Sequence, residues 1–99
     1  MNTNITQYVR SLNRRNFTNN VQRALFTLIN SNGWVSRGSV RVPSATSRMR
    51  DLRKAEYGGF EVVCARSTDL GRTGTPTTFY RLNTNNLSLA QVRRVFEGV

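Results

Sequence analysis

The chain has 99 residues, with fifteen Lys plus Arg, five Asp plus Glu, no histidine and a formal net charge of +10. This length suits one domain with a modest core, and 37% apolar residues favour folding over disorder. The composition excludes a disulfide framework and a Cys/His zinc site, since Cys64 is the only cysteine, and the excess of positive charge favours a polyanionic partner, nucleic acid before an anionic membrane.

Asn4-Ile5-Thr6-Gln7 has the form of a capping box, and Ile5, Tyr8, Val9 and Leu12 follow at helical spacing, which predicts a first helix over about 5–13. Arg14, Arg15 and Asn16 interrupt the pattern. Asn19-Asn20-Val21-Gln22 offers a second box, after which Val21, Ala24, Leu25, Leu28 and Ile29 draw a wide apolar face closed by Asn32-Gly33. Trp34-Val35-Ser36 reads as a short extended piece, and Arg37 to Val42 as a single helical turn or a tight loop.

The run from Val42 to Lys54 carries the most information. Pro43 fixes the backbone, Ser44 is placed to cap, and Ala45, Met49, Leu52 and Glu56 fall on one side of a helix extending from Ser44 to about Glu56. At ~100° per residue, Ser47, Arg50 and Lys54 fall opposite that stripe, with Thr46, Arg48 and Arg53 on its flanks. Tyr57-Gly58-Gly59 marks a break, Phe60 to Arg66 a strand, and Ser67 to Pro76 a polar loop containing Gly71 and Gly74. Thr77 to Leu82 is a return strand, which makes a long-looped hairpin, and Asn83 to Asn86 is a connector. Cys64 lies within the apolar strand and is expected to be a buried, inert thiol.

Ser88-Leu89-Ala90-Gln91 forms a third box that opens a closing helix over about 89–97, with Leu89, Val92, Phe96 and Val99 on one side. That stripe either docks on the domain's own core or joins Ile5, Tyr8 and Leu12 in a dimer seam. No apolar run is long enough to span a membrane and Met1 to Leu12 lacks the form of a signal peptide, so a cytoplasmic protein is expected.

Gly33-Trp34-Val35-Ser36-Arg37, Ser47-Arg48-Met49-Arg50-Asp51-Leu52-Arg53-Lys54, Gly59-Phe60-Glu61-Val62 and Tyr80-Arg81-Leu82 together resemble small winged helix-turn-helix proteins of phages and mobile elements. The resemblance covers about residues 19–83 of a single domain, 1–99. It departs from the usual pattern in a short segment from Arg37 to Val42 and a long break from Glu56 to Gly59. The implied fold is α+β, mainly α: a winged helix-turn-helix with a two-stranded β-hairpin wing and extra N- and C-terminal helices. The implied function is sequence-specific binding of double-stranded DNA, as a transcription regulator, replication-origin binder or recombination accessory factor.

By that resemblance the helix from Ser44 to Glu56 is the recognition helix. Ser44, Thr46 and Ser47 then meet phosphate or base edges near the helix start, while Arg50 and Lys54 face the major groove. Arg48 and Arg53 hold phosphates or bridge to Asp51 and Glu56. Arg66, Arg72 and Thr73 belong to the wing, with Arg72 its minor-groove residue. Arg14, Arg15, Arg37 and Arg41 are further candidate phosphate contacts. A homodimer that pairs two half-sites is the simple route to specificity. No cofactor, metal or small-molecule ligand is implied, and no catalytic residue: there are no paired carboxylates and no phosphate-cradling loop. The alternatives are an RNA-binding module, which would prefer exposed aromatics for stacking although at least some of Phe60, Phe79 and Tyr80 must be core in their strands, and a basic module that grips an acidic protein.

Overall fold

A computed structural model describes residues 3–31, 33–71 and 73–97. Among them are four α-helices and three strands in a mainly helical α+β arrangement: α1 (Thr3–Ser11), α2 (Asn20–Ser31), β1 (Val35–Ser36), α3 (Ala45–Arg53), β2 (Val62–Arg66), β3 (Thr78–Leu82) and α4 (Leu89–Glu97). Short 3₁₀ turns at Arg14–Asn16, Arg37–Ser39, Ala55–Tyr57 and Ser67–Leu70 join them. The antiparallel sheet has the order β1-β3-β2. The expected hairpin is β2–β3, with Val62 opposite Leu82 and Arg66 opposite Thr78. The extended piece at Trp34–Ser36 contributes the short strand β1, pairing Val35 with Tyr80, so the sheet has three strands where the expected wing has two.

Helix starts follow the sequence signals closely at two places. At α4 the Gln91 N–H donates to Ser88 Oγ (3.1 Å) and the Ser88 N–H donates to Gln91 Oε1 (3.3 Å), a reciprocal capping box. At α2 the Gln22 N–H donates to Asn19 Oδ1 (2.9 Å). Gln22, however, is buried, and its side chain turns elsewhere: Oε1 accepts from the Thr18 N–H (2.7 Å) and Nε2 donates to the Val95 carbonyl (3.0 Å), which ties α2 to α4. At α1 the helix already includes Thr3, so Asn4 lies inside it and does not cap it. Asn32, expected to help end α2, lies outside the described residues, as does Val99.

The core is one cluster. Ile5 and Val9 of α1, the apolar face of α2, Met49 and Leu52 of α3, Val62, Tyr80 and Leu82 of the sheet and Val92 of α4 all contribute to it. Ile5, Leu52 and Val92 are fully buried. Both terminal helices therefore dock on the domain's own core, and the aromatic rings of Tyr8, Phe17, Phe26 and Phe96 pack in a chain beside it with centroids 5.2–6.4 Å apart.

α3 stops at Arg53, three residues before the expected end. The Phe60 N–H donates to the Leu52 carbonyl (2.8 Å) and the Gly59 N–H to the Lys54 carbonyl (2.9 Å), so the chain folds back under the helix. Gly58 makes the turn at φ 108°, where a Cβ would sit 2.5 Å from the Phe60 ring, and its carbonyl accepts from Gln91 Nε2 (2.6 Å). Glu56 is thus exposed in the following 3₁₀ turn and takes no place in the stripe.

Candidate nucleic-acid interface

The outward face of α3 is defined by what its inward face buries. Met49 and Leu52 anchor the helix in the core, so Ser47 and Arg50 lie opposite and Thr46 lies to one side. Thr46 is fixed by the sheet, its hydroxyl 3.0 Å from the Tyr80 hydroxyl. Tyr80 is a functional neighbour that sequence alone does not reveal, because the two residues stand 34 positions apart.

The four cations of this segment have different duties. Arg48 Nη2 lies 3.1 Å and Lys54 Nζ 3.4 Å from opposite oxygens of Asp51, so one carboxylate engages both. Lys54 has left the helix, with an extended backbone (ψ 142°), and is displaced from the outward face on which periodicity puts it. Arg53 Nε and Nη2 both donate to the Val62 carbonyl, at 3.0 and 2.6 Å. These two bonds strap α3 to β2, and among the described residues Arg53 makes no ion pair with Glu56. Arg50 is exposed and has no hydrogen bond or ion pair among the described residues.

Ser44 does not cap α3 with its side chain. Its backbone is left-handed (φ 54°, ψ 51°), whereas a capping side chain needs an extended backbone to reach the second and third amides. Its carbonyl still accepts the first helical bond, from the Arg48 N–H (3.1 Å). The helix start opens onto a groove lined by Arg37 and Arg41 together with Ser44, Thr46 and Ser47, so the structure brings these predicted contacts together.

The hairpin tip is more ordered than a plain loop. Ser67 is buried and clasps Thr77: the Ser67 N–H donates to the Thr77 carbonyl (2.8 Å) and the Thr77 N–H to Ser67 Oγ (3.0 Å). The Arg66 N–H donates to Asp69 Oδ2 (3.3 Å), and its side chain is exposed, as is Thr73. Arg72 lies outside the described residues. Arg14 and Arg15 sit in the 3₁₀ turn before α2, Arg14 with its guanidinium carbon 5.5 Å from the Phe26 centroid and Arg15 exposed.

Burial corrects one expectation, that for Cys64, and bears on two alternatives left open. Ile5 and Val92 belong to the intramolecular core and are not available to a seam, while Tyr8, Leu12, Leu89 and Phe96 are half-buried. Cys64 is exposed, because β2 beyond Val62 runs past the helices that cover its start. Phe60, Phe79 and Tyr80 are all buried, and none offers a face for base stacking. Among the described residues no His, Cys, Asp or Glu cluster forms a metal site, and no helix is long and apolar enough to cross a membrane. No protein-family model, curated protein or solved structure matches this chain.

Proposed function

We propose that the protein is a winged-helix module that binds double-stranded DNA sequence-specifically, with α3 in the major groove and the β2–β3 tip against the minor groove or backbone, and that it is not an enzyme. The observation that carries this is Arg50. It stands outward on a helix whose other two cations, like Lys54 just beyond its end, are bound within the protein, one turn from Thr46 and Ser47, and its planar fork matches the O6 and N7 edge of guanine. The order α2, β1, 3₁₀ turn, α3, β2, β3 supports the winged-helix reading, with the Arg37–Ser39 turn in the place of a full second helix. Regulation, origin binding and recombination share this chemistry and differ in where the sites lie. A homodimer on repeated half-sites would double the few base contacts one α3 can make.

The test is selection of duplexes from a random pool at ~0.15 M salt, where non-specific attraction to a +10 protein is weakened, followed by Arg50→Ala on the enriched sequence. One bidentate contact is worth about 1–3 kcal/mol. Arg50→Ala should therefore weaken the enriched duplex tenfold or more and a scrambled duplex far less. Equal affinity of wild type and variant for the enriched duplex would remove Arg50 from base recognition, and failure to enrich any sequence would remove sequence-specific DNA binding altogether.

A further inference from the structure

Beside the groove at the start of α3 runs a second one, between the Arg14–Asn16 turn, the outer side of α2 and the linker into α3. Arg14, Arg23, Phe26, Asn30 and Arg41 line it. The two grooves share Arg41 and Val42, so they form one continuous path from the recognition helix to the N-terminal side of α2.

The charge along this path has one sign. Every carboxylate of the chain lies after Arg50, so no acidic residue stands on the segments that build the walls. Ion pairs occur at α3 and α4 instead, where Asp51 engages Arg48 and Lys54 and Glu97 engages Arg93. In the second groove only neutral partners are present: Arg23 donates to Asn20 Oδ1 (3.0 Å) and the Phe17 carbonyl (3.4 Å), and Arg14 lies over the Phe26 ring. Like charges lined up without counter-charge repel one another, and a polyanion threaded between them removes that cost. Arg37 lines the first groove, Arg14 and Arg23 the second and Arg41 both, so the cations are spread over two adjoining grooves, which fits a chain of phosphates better than a single anion.

We infer that the second groove holds the phosphate backbone of the duplex flanking the α3 site, with Arg14 and Arg41 as its contacts, so that it supplies affinity without sequence preference. This rests on the duplex-DNA reading above. It assigns a division of labour: Arg50 reads bases, and the Arg14–Arg41 groove grips the strand outside them.

The experiment compares wild type, Arg14→Gln and Asn30→Glu by titration of the enriched duplex and a scrambled duplex across a salt series. Asn30 is exposed on α2 and lines the groove, so glutamate there adds the missing negative charge without touching the core. Arg94→Gln, the same charge change on α4 outside both grooves, is the control. Arg14→Gln should lower the slope of log affinity against log salt by about 0.9, the value of one phosphate contact on B-form DNA. Asn30→Glu should weaken both duplexes by the same factor, and the preference for the enriched duplex should be unchanged in each. Wild-type affinity and slope in both variants, while wild type still selects its duplex, would overturn the groove and leave α3 recognition standing. A changed sequence preference in Arg14→Gln would overturn it too, by making the groove a reader of bases. Loss of slope in Arg94→Gln equal to that in Arg14→Gln would do the same, since net charge alone would then explain the effect. A wild type that retains no duplex would overturn both proposals.

Discussion

Arg53→Ala separates a structural arginine from the DNA-facing ones. The guanidinium gives two hydrogen bonds to one carbonyl, that of Val62, at 3.0 and 2.6 Å. A hydrogen bond from a charged group contributes about 1.5–3 kcal/mol. Here the two share a single acceptor and the arginine is exposed, so water takes over part of the interaction and about 1.5 kcal/mol is a reasonable net loss. For a domain of this size, that corresponds to a fall of about 6–12 °C in the melting midpoint. Arg53→Lys, with a compact ammonium in place of the fork, should retain part of the difference. Arg50→Ala, by contrast, removes no contact among the described residues and should stay within ~0.5 kcal/mol of wild type. Urea unfolding of the four proteins, with unchanged slopes, measures these differences. An Arg53→Ala midpoint equal to that of Arg50→Ala would refute the strap and return Arg53 to the list of candidate DNA contacts.

β2 is an edge strand, and since the Glu61 carbonyl and the Ser67 N–H bond across to Asn83 and Thr77, alternation turns the peptide groups of Val62, Cys64 and Arg66 outward. Arg53 covers the first and Asp69 the last, so Arg53→Ala with Asp69→Ala should free the edge and give Cys64-linked dimers under mild oxidation, read on a non-reducing gel, while wild type stays mainly monomeric there. Tyr8 has a buried hydroxyl without a hydrogen-bond partner among the described residues, and burial first, then the nearby Glu97, raises its pKa above the ordinary 10.0. The unfolded chain ionises this phenol before the folded one does, so its contribution is intact below pH ~10 and declines as pH rises beyond it. Tyr8→Phe should stabilise the fold by about 1 kcal/mol at neutral pH and flatten the alkaline loss seen in thermal melts. Gly58→Ala should cost at least about 2 kcal/mol, because its Cβ meets the buried Phe60 ring at 2.5 Å, whereas Gly59→Ala meets nothing nearer than 3.9 Å and should cost about half as much. Chemical denaturation of the two glycine variants decides this.

The legible parts of the fold are those written in neighbouring residues. Ser88 and Gln91 cap α4 as their spacing demands, and the apolar positions of α2 all enter the core. What sequence reading missed is non-local. The periodicity of α3 runs on to Glu56 because nothing between Lys54 and Glu56 breaks a helix. The stop comes from Phe60, which claims the Leu52 carbonyl from eight residues away. The extended form of Trp34–Ser36 is legible in the sequence, but its pairing with β3 is not. Cys64 belongs to an apolar run, yet apolar character does not show how far the covering helices reach.

The site followed the same division, with a consequence for how a basic helix is interpreted. Counting charges on α3 and its end gives Arg48, Arg50, Arg53 and Lys54 equal standing. The fold gives them three different environments: a carboxylate shared by two, a backbone carbonyl for one, and open solvent for Arg50. Asp51 is the first carboxylate in the chain, and it stands where it engages the cations on either side of Arg50 while leaving Arg50 itself unengaged. Its removal gives a direct handle on that arrangement. Asp51→Asn frees Arg48 and Lys54 beside Arg50, and under the proposed mode of binding it should raise affinity for scrambled duplexes more than for the enriched one, steepening the salt dependence and narrowing the discrimination between them. A variant that gained affinity for both duplexes by the same factor would mean that Asp51 does not bias α3 towards a single reading arginine, and that the division between Arg50 and its neighbours is structural without being functional.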